Sequence, residues 1–256
     1  MTDLTFRVSG SEDGRALMLI HAFGANLSFW DDMIGDLGPR FRCARYDIRG
    51  LGTSPIAPRK WTMDEHVNDL EEVRKATSLS RFNLIGTAIG GAIALFYAHR
   101  YPERVQSVIF VNPTMGANPK TNTERAAKAV AEGMSAIAEP SVSRAFGELP
   151  HDARYLHFRD EIFAKNSPIG YQRSIMGLIE KDVREVLPEI KCPVLLLGGR
   201  LDTINPPSVV EEIAGMLPDA QIAWVENGAH FAPYQASAEC ADAIRKFLEP
   251  LAEECI

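Results

Sequence analysis

Leu84–Ala98 reads LIGTAIGGAIALFYA, fifteen uncharged residues with three glycines crowded toward its start. A bilayer-crossing helix needs about 20 apolar residues, so the stretch is too short to span one. The glycines divide it instead into the apolar run Phe82–Gly86, of strand length, then a tight turn and a buried helix. Gly86 and Gly90 stand two residues before and two after Ala88. That spacing suits a sharp strand-to-helix turn whose central residue holds a strained backbone and whose flanks leave no room for side chains. Such a turn lifts one side chain, that of Ala88, clear of the sheet. It also sets the Ile89 N–H at a helix N-terminus, where it can stabilise an oxyanion. Close packing of a strand on a helix would use the same glycines.

Outward from this turn, short apolar runs alternate with longer amphipathic stretches. The runs are Ala16–Ile20, Cys43–Ile48, Phe82–Gly86, Val105–Val111, Pro193–Leu197 and Gln221–Val225. Several are apolar on both faces, as strands covered on both sides by helices are. Between them, Met63, Val67, Leu70 and Val73 recur at helical spacing over Thr62–Thr77, and Thr62 with Glu65 forms a T-x-x-E capping box. This alternation predicts an α/β fold with a mainly parallel sheet and right-handed crossovers. The rhythm breaks between Gly116 and Leu187, where no strand is expected and Thr121-x-x-Glu124 marks a helix start. Residues 116–187 therefore read as a helical insertion, and residues 1–115 and 188–256 as the core it interrupts.

With 46% hydrophobic and 24% charged residues, the composition excludes a disordered chain or a disulfide scaffold. The net charge of −7 argues against binding nucleic acid or an anionic membrane surface. Residues 116–187 carry ten basic and ten acidic side chains, so the −7 belongs to the core. Cys43, Cys192, Cys240 and Cys255 are scattered without metal-binding spacing, and read as reduced thiols. The first residues lack the pattern of a secretory signal. Both features lead to the expectation of a cytoplasmic protein. His66 and His99 fall on helices and are expected at the surface.

Three loops after apolar runs hold further chemistry-bearing residues. His21-Ala22-Phe23-Gly24 follows the run ending at Ile20, and the Phe23 N–H is a candidate second oxyanion donor. Gly199-Arg200-Leu201-Asp202 follows the run Pro193–Leu197 and puts a carboxylate where ligands bind in open parallel sheets. Asn227-Gly228-Ala229-His230 follows Gln221–Val225 and offers a histidine suited to general-base work. Singly, each residue is equally compatible with an ordinary loop. Together they run in the order 88, 202, 230, that of nucleophile, acid and histidine in one particular fold.

At this point the chain resembles the α/β-hydrolase superfamily over nearly its whole length. Gly86-Thr87-Ala88-Ile89-Gly90 matches the nucleophile elbow G-x-S-x-G except at its centre. Tyr46-Asp47-Ile48-Arg49-Gly50-Leu51-Gly52-Thr53-Ser54 is similar to the D-x-R-G-x-G-x-S loop of that family. Tyr101-Pro102-Glu103-Arg104-Val105 follows the elbow helix, and Pro188-Glu189-Ile190-Lys191-Cys192-Pro193-Val194 stands at the return from the insertion. Among its members, the chain looks most like 3-oxoadipate enol-lactonase-like and meta-cleavage-product hydrolases. The resemblance implies a sheet of about eight strands under a helical cap at 116–187, with the first strands abbreviated. It also implies Asp202 as acid and His230 as base.

Ala88 departs from the pattern, because serine is expected there and alanine has no hydroxyl. The resemblance then implies an ester or lactone hydrolase whose nucleophile has been replaced, leaving an inactive form with Asp202 and His230 in place. In a serine-bearing form, His230 takes the hydroxyl proton and the Phe23 and Ile89 N–H groups hold the oxyanion. No metal or organic cofactor is called for, since HExxH and P-loop motifs are absent. A small molecule is the expected partner. Within the cap, Arg144, Arg154, Arg159 and Arg173 are candidates to pair with a substrate carboxylate, and Tyr155, His157, Phe158, Phe163 and Tyr171 to line the pocket. Cap arginines more commonly stay solvated or pair with cap carboxylates, and cap aromatics more commonly pack against their own helices. Two other readings stay open: a ligand-binding member in which Ala88 is native, and a cofactor-free lyase or dioxygenase that works through His230 and Asp202 alone.

Overall fold

A computed structural model of the chain describes residues 2–116 and 118–251; Cys255 lies outside them. In chain order the strands are β1 (Phe6–Gly10), β2 (Arg15–Ile20), β3 (Phe41–Tyr46), β4 (Phe82–Thr87), β5 (Val105–Val111), β6 (Val194–Gly199) and β7 (Ala220–Val225). The helices are α1 (Asp31–Leu37), α2 (Met63–Ala76), α3 (Ile89–Arg100), α4 (Pro119–Glu132), α5 (Ser135–Phe146), α6 (Ala153–His157), α7 (Pro168–Leu178), α8 (Pro207–Ala214), α9 (Ala232–Gln235) and α10 (Ser237–Leu248). A π-helical turn, Phe158–Phe163, continues α6.

The strands form one seven-stranded sheet in the order β1-β3-β2-β4-β5-β6-β7, against about eight expected. Only β1 is antiparallel, pairing with β3 from Phe6↔Tyr46 to Gly10↔Arg42. It escapes the periodicity of the sequence because it is a half-exposed edge strand without an apolar run. The central strands β4 and β6 are buried along their whole length, which explains why they read as continuous apolar runs. Gly86, Gly90 and Gly91 let α3 sit directly on the sheet. A Cβ on Gly90 would lie 2.3 Å from the Ile20 carbonyl oxygen, and one on Gly91 2.0 Å from the Phe110 ring. All the parallel strands end at the same edge, where the loops that follow them converge.

Between β5 and β6 the chain is helical, broken only by a single bridge between Gly116 and Asp182. Helix α4 starts three residues earlier than a cap at Thr121 suggests. Asn118 caps it by accepting from Thr121 N, and Pro119 takes the first turn, where a missing N–H costs nothing. This helical region is clamped onto the core at close backbone approaches: a Cβ on Gly170 would lie 2.2 Å from the Gly50 carbonyl oxygen. Asn166 stitches the same seam, donating to Gly24 O at 2.9 Å and accepting from Gly52 N at 2.9 Å. Among the described residues no helix is long and apolar enough to cross a membrane.

The capping box of α2 forms as its sequence predicts, with Thr62 and Glu65 satisfying each other's N–H groups. His66, expected at the surface, is instead 1% exposed. Its position explains this: it lies three residues after Met63 and four before Leu70, on the apolar stripe that packs inward. Burial pushes its pKa down from 6.5 to about 4, against the pull of the Ser174 main chain. An unfolded chain takes up this proton below about pH 6.5, the folded protein only below about pH 4, so stability falls as pH drops through that window. The loss attributable to His66 is up to about 3 kcal/mol. Urea denaturation between pH 4 and 7 checks it: the stability of His66→Gln is expected to vary less steeply with pH than that of the parent. Equal slopes would show that His66 does not titrate there.

Candidate active site

The sharp turn at Ala88 has the backbone its glycines demand. Ala88 adopts φ 49° and ψ −114°, a conformation that side-chain-bearing residues avoid and that costs on the order of 1–3 kcal/mol. The strain is held by pairing on both sides. Ala88 N donates to Val111 O at 2.9 Å, and its carbonyl oxygen accepts from Gly91 N and Ala92 N.

Asp202 and His230 come from the loops after β6 and β7. His230 Nδ1 lies 2.9 Å from Asp202 Oδ2, and the carboxylate is almost fully buried. Its other oxygen, Oδ1, accepts from Ile204 N at 2.8 Å and Asn205 N at 3.0 Å. Burial opposes the charge of Asp202, but His230 and these two N–H groups outweigh it and hold the carboxyl below its ordinary value. Asp202 is thus an anion at neutral pH, and the hydrogen it accepts from Nδ1 leaves Nε2 of neutral His230 as the basic nitrogen. Among the described residues nothing bonds to that Nε2.

Asn112, absent from the sequence reading, ties the two loops together. Its amide donates to Asp202 Oδ2 at 3.0 Å and to Ala229 O at 2.9 Å, and its oxygen accepts from Ala232 N. It sits at the end of β5 with φ 46°, in the left-handed region that asparagine tolerates better than most residues. An asparagine directly after a buried strand and before Pro113 is the signal that points to it.

His21 is entirely buried, and anchors the loop that carries Phe23. Its Nδ1 donates to Ala22 O at 2.8 Å, and Nε2 accepts from Ile48 N at 3.0 Å, so the ring is neutral and bridges two strand ends. Burial lowers its pKa, against the Asp47 charge and the Ala22 carbonyl. The N–H groups of Phe23 and Ile89 find no acceptor among the described residues. Two such donors at the edge of one cavity can hold a negatively charged oxygen.

That space is a cavity of about 270 Å³ between the core and the helical region, lined by Phe23, Ala88, Ile89 and His230 on the core side. Arg144 lines it from α5, and Arg125, which the sequence reading passed over, lines it from α4. Arg125 lies inside an ordinary amphipathic helix, and nothing in its local sequence marks it.

Arg154, Arg159, Tyr155 and Phe158 are not brought to the cavity. Arg154 pairs with Asp32 and donates to Tyr234 O, while Arg159 pairs with Glu139 and Asp160. Arg173 donates to Ala57 O. Phe158 packs on Phe231 and Tyr234, at ring-centre distances of 4.8 and 5.1 Å. Tyr155 meets Phe146 edge-on and donates its hydroxyl to Glu139. These side chains fasten the helical region to the core and to itself. Large aromatics near a cavity still bury most area by packing on one another.

A sharp turn over the sheet, a carboxylate-oriented imidazole and two unpaired N–H groups therefore meet beneath a helical cover, at the carboxyl edge of the sheet. Comparison with known proteins gives the same architecture. A 3-oxoadipate enol-lactonase of Acinetobacter baylyi is 26% identical over 205 residues, covering 79% of this chain and 77% of the relative. The crystal structure of the enol-lactonase from Burkholderia xenovorans superposes with a TM-score of 0.88 at 26% identity, covering 98% of this chain and 96% of that one. A thermophilic esterase from Thermogutta terrifontis gives 0.88 at 26% identity, covering 97% and 93%. The family model for the alpha/beta hydrolase fold matches residues 15–237, spanning β2 through α9 and every loop that lines the core side of the cavity, and the chain belongs to that family.

Proposed function

We propose that the cavity is an acyl-transfer site for small esters or lactones, complete except for its nucleophile. The carrying observation is that Ala88 keeps the strained φ of 49° while bordering the same cavity as His230. Strain of this kind serves to present a side-chain atom, and a methyl group has no use for it. In this reading Asp202 orients His230, and the Phe23 and Ile89 N–H groups receive the oxyanion. The chain as it stands binds acyl compounds without forming an acyl-enzyme, because residue 88 lacks a hydroxyl. The esterase and enol-lactonase neighbours support the substrate class.

An aryl fluorophosphonate, which phosphonylates activated serines, tests this directly. Mass spectrometry is expected to find one adduct on Ala88→Ser, none on the parent chain, and none on Ala88→Ser combined with His230→Ala. An Ala88→Ser protein that stays unlabelled would overturn the proposal.

A second reading rests on the unpartnered Nε2 of His230. Without a hydroxyl to deprotonate, the same imidazole could take a proton from a bound carbon acid, with the enolate oxygen on the two N–H groups. Turnover by the parent chain that disappears in His230→Ala would favour it.

A further inference from the structure

The helical region holds six arginines: 125, 144, 154, 159, 173 and 184. Four of them are spoken for. Arg154, Arg159 and Arg184 pair with carboxylates, and Arg173 donates to a main-chain carbonyl. The other two, Arg125 and Arg144, have no carboxylate partner among the described residues, and they are the two that line the cavity. Arg144 makes no hydrogen bond at all there. Arg125 spends one nitrogen on the side chain of its own helix neighbour Asn122 and lies over the Tyr171 ring at 5.8 Å. Its Nε is buried with no acceptor.

A buried donor left unpaired costs on the order of 1–3 kcal/mol, a penalty that an arriving acceptor removes. The charge distribution points the same way. The chain has 34 acidic against 27 basic residues, yet no aspartate or glutamate lines this cavity. Two uncompensated guanidinium groups, Arg125 half-buried and Arg144 exposed, therefore line one small cavity in an otherwise acidic protein.

We infer that Arg125 and Arg144 form an anion subsite, and that the ligand of this cavity is a small acyl compound bearing a carboxylate. The inference rests on the acyl-site reading for where the reacting end lies. The carboxylate sits against the arginines of the helical region, and the ester or lactone carbonyl points to Ala88 and His230 on the core side. A cavity of about 270 Å³ has room for about nine water-sized groups at about 30 Å³ each, the scale of a small ester. A charge-assisted, forked contact from guanidinium to carboxylate is among the strongest recognition elements available at that scale.

Monomethyl glutarate and dimethyl glutarate, which differ by one charge, separate the outcomes. Calorimetry on the parent chain, which forms no acyl-enzyme, is expected to show the monoester binding on the order of tenfold tighter or more. Arg125→Gln should abolish that preference, Arg125→Lys should keep part of it, and dimethyl glutarate should bind all forms alike. Arg144→Gln provides an independent variant, since this exposed side chain has no partner whose loss would disturb folding. It too should reduce the preference. Equal binding of both esters, or a preference unchanged in both glutamine variants, would overturn the anion subsite. The acyl-site reading fails separately. If Ala88→Ser takes no fluorophosphonate while the arginine-dependent preference persists, the subsite stands and the hydrolytic reading falls. If Ala88→Ser is labelled and cleaves both esters without preference, the subsite falls and the hydrolytic reading stands.

Discussion

Ala88→Ser is expected to raise the hydrolysis rate of small activated esters by on the order of 10⁴-fold or more over the parent chain. Losing the nucleophile from a triad of this kind costs on the order of a millionfold in turnover, so restoring it should recover much of that factor. Little else has to change. The backbone at residue 88 already adopts φ 49° and ψ −114°, so serine adds no strain beyond that which alanine bears. The added oxygen enters the cavity that Ala88 lines, and His230 Nε2 is free to take its proton. Attack on the acyl carbon then breaks the carbonyl π bond and places charge on the oxygen facing the Phe23 and Ile89 N–H groups. His230 returns the proton to the leaving alcohol, and water releases the acid by the same route. Stopped-flow release of p-nitrophenol from its acetate, with a burst of one equivalent per site, is the measurement. A variant no faster than the parent on any ester or lactone would mean that the site does not perform acyl transfer.

Asp202→Asn placed in the Ala88→Ser protein is expected to remove about 10⁴-fold in kcat, with a much smaller change in KM. The carboxylate uses both oxygens: Oδ1 holds the Ile204 and Asn205 N–H groups, and Oδ2 receives His230 and Asn112. An asparagine can keep its oxygen on the two main-chain donors, so the loop should stay folded. Its NH₂ then meets Nδ1 as a donor and the Asn112 amide as a second donor. The imidazole is driven to the tautomer that carries hydrogen on Nε2, which cannot accept the serine proton. Thermal unfolding of the double variant within a few degrees of the single one would confine the effect to this tautomer. A loss of less than tenfold would show that Asp202 does not orient His230 during turnover.

The strand ends that carry residues 88, 202 and 230 are legible in the sequence because doubly covered parallel strands must be apolar on both faces. Each such run therefore announces where it stops and a loop begins. The turn at Ala88 is legible for a harder reason. Main chain or the Phe110 ring comes within 2.5 Å of where a Cβ would stand on Gly86, Gly90 or Gly91, so glycine is required at each. The spacing of His66 from Met63 and Leu70 places it on the inward stripe of α2, but a polar ring on such a stripe can also turn along its edge to water. Its burial is decided by the fold, which brings the Ser174 main chain of α7 to the ring. The edge strand β1 was missed because a strand exposed on one face and at one edge needs no apolar run.

The helical region shows the limit most clearly. Arg125, Arg144, Arg154, Arg159 and Arg173 are alike in sequence, each an arginine on or beside an amphipathic helix. What separates them is whether a carboxylate or carbonyl from a distant segment reaches them. Arg154 meets Asp32 and Arg173 meets Ala57 across more than a hundred residues, and Arg125 and Arg144 meet none. The aromatic candidates divide in the same way, with Phe158 taken up by Phe231 and Tyr234 while Phe163 lines the cavity.

The amino-acid sequence by itself determined the parallel sheet, the glycine-bound turn and the strand-end positions of Ala88, Asp202 and His230. Those features follow from local sterics and from burial on both faces of a strand, which a chain records residue by residue. Only the tertiary structure decided that Asn112 joins the two loops, that His66 is buried, and that two particular arginines are left without partners over the cavity. Those outcomes depend on which distant segments come into contact, and a pairing of that kind leaves no mark on either residue's neighbours in the chain.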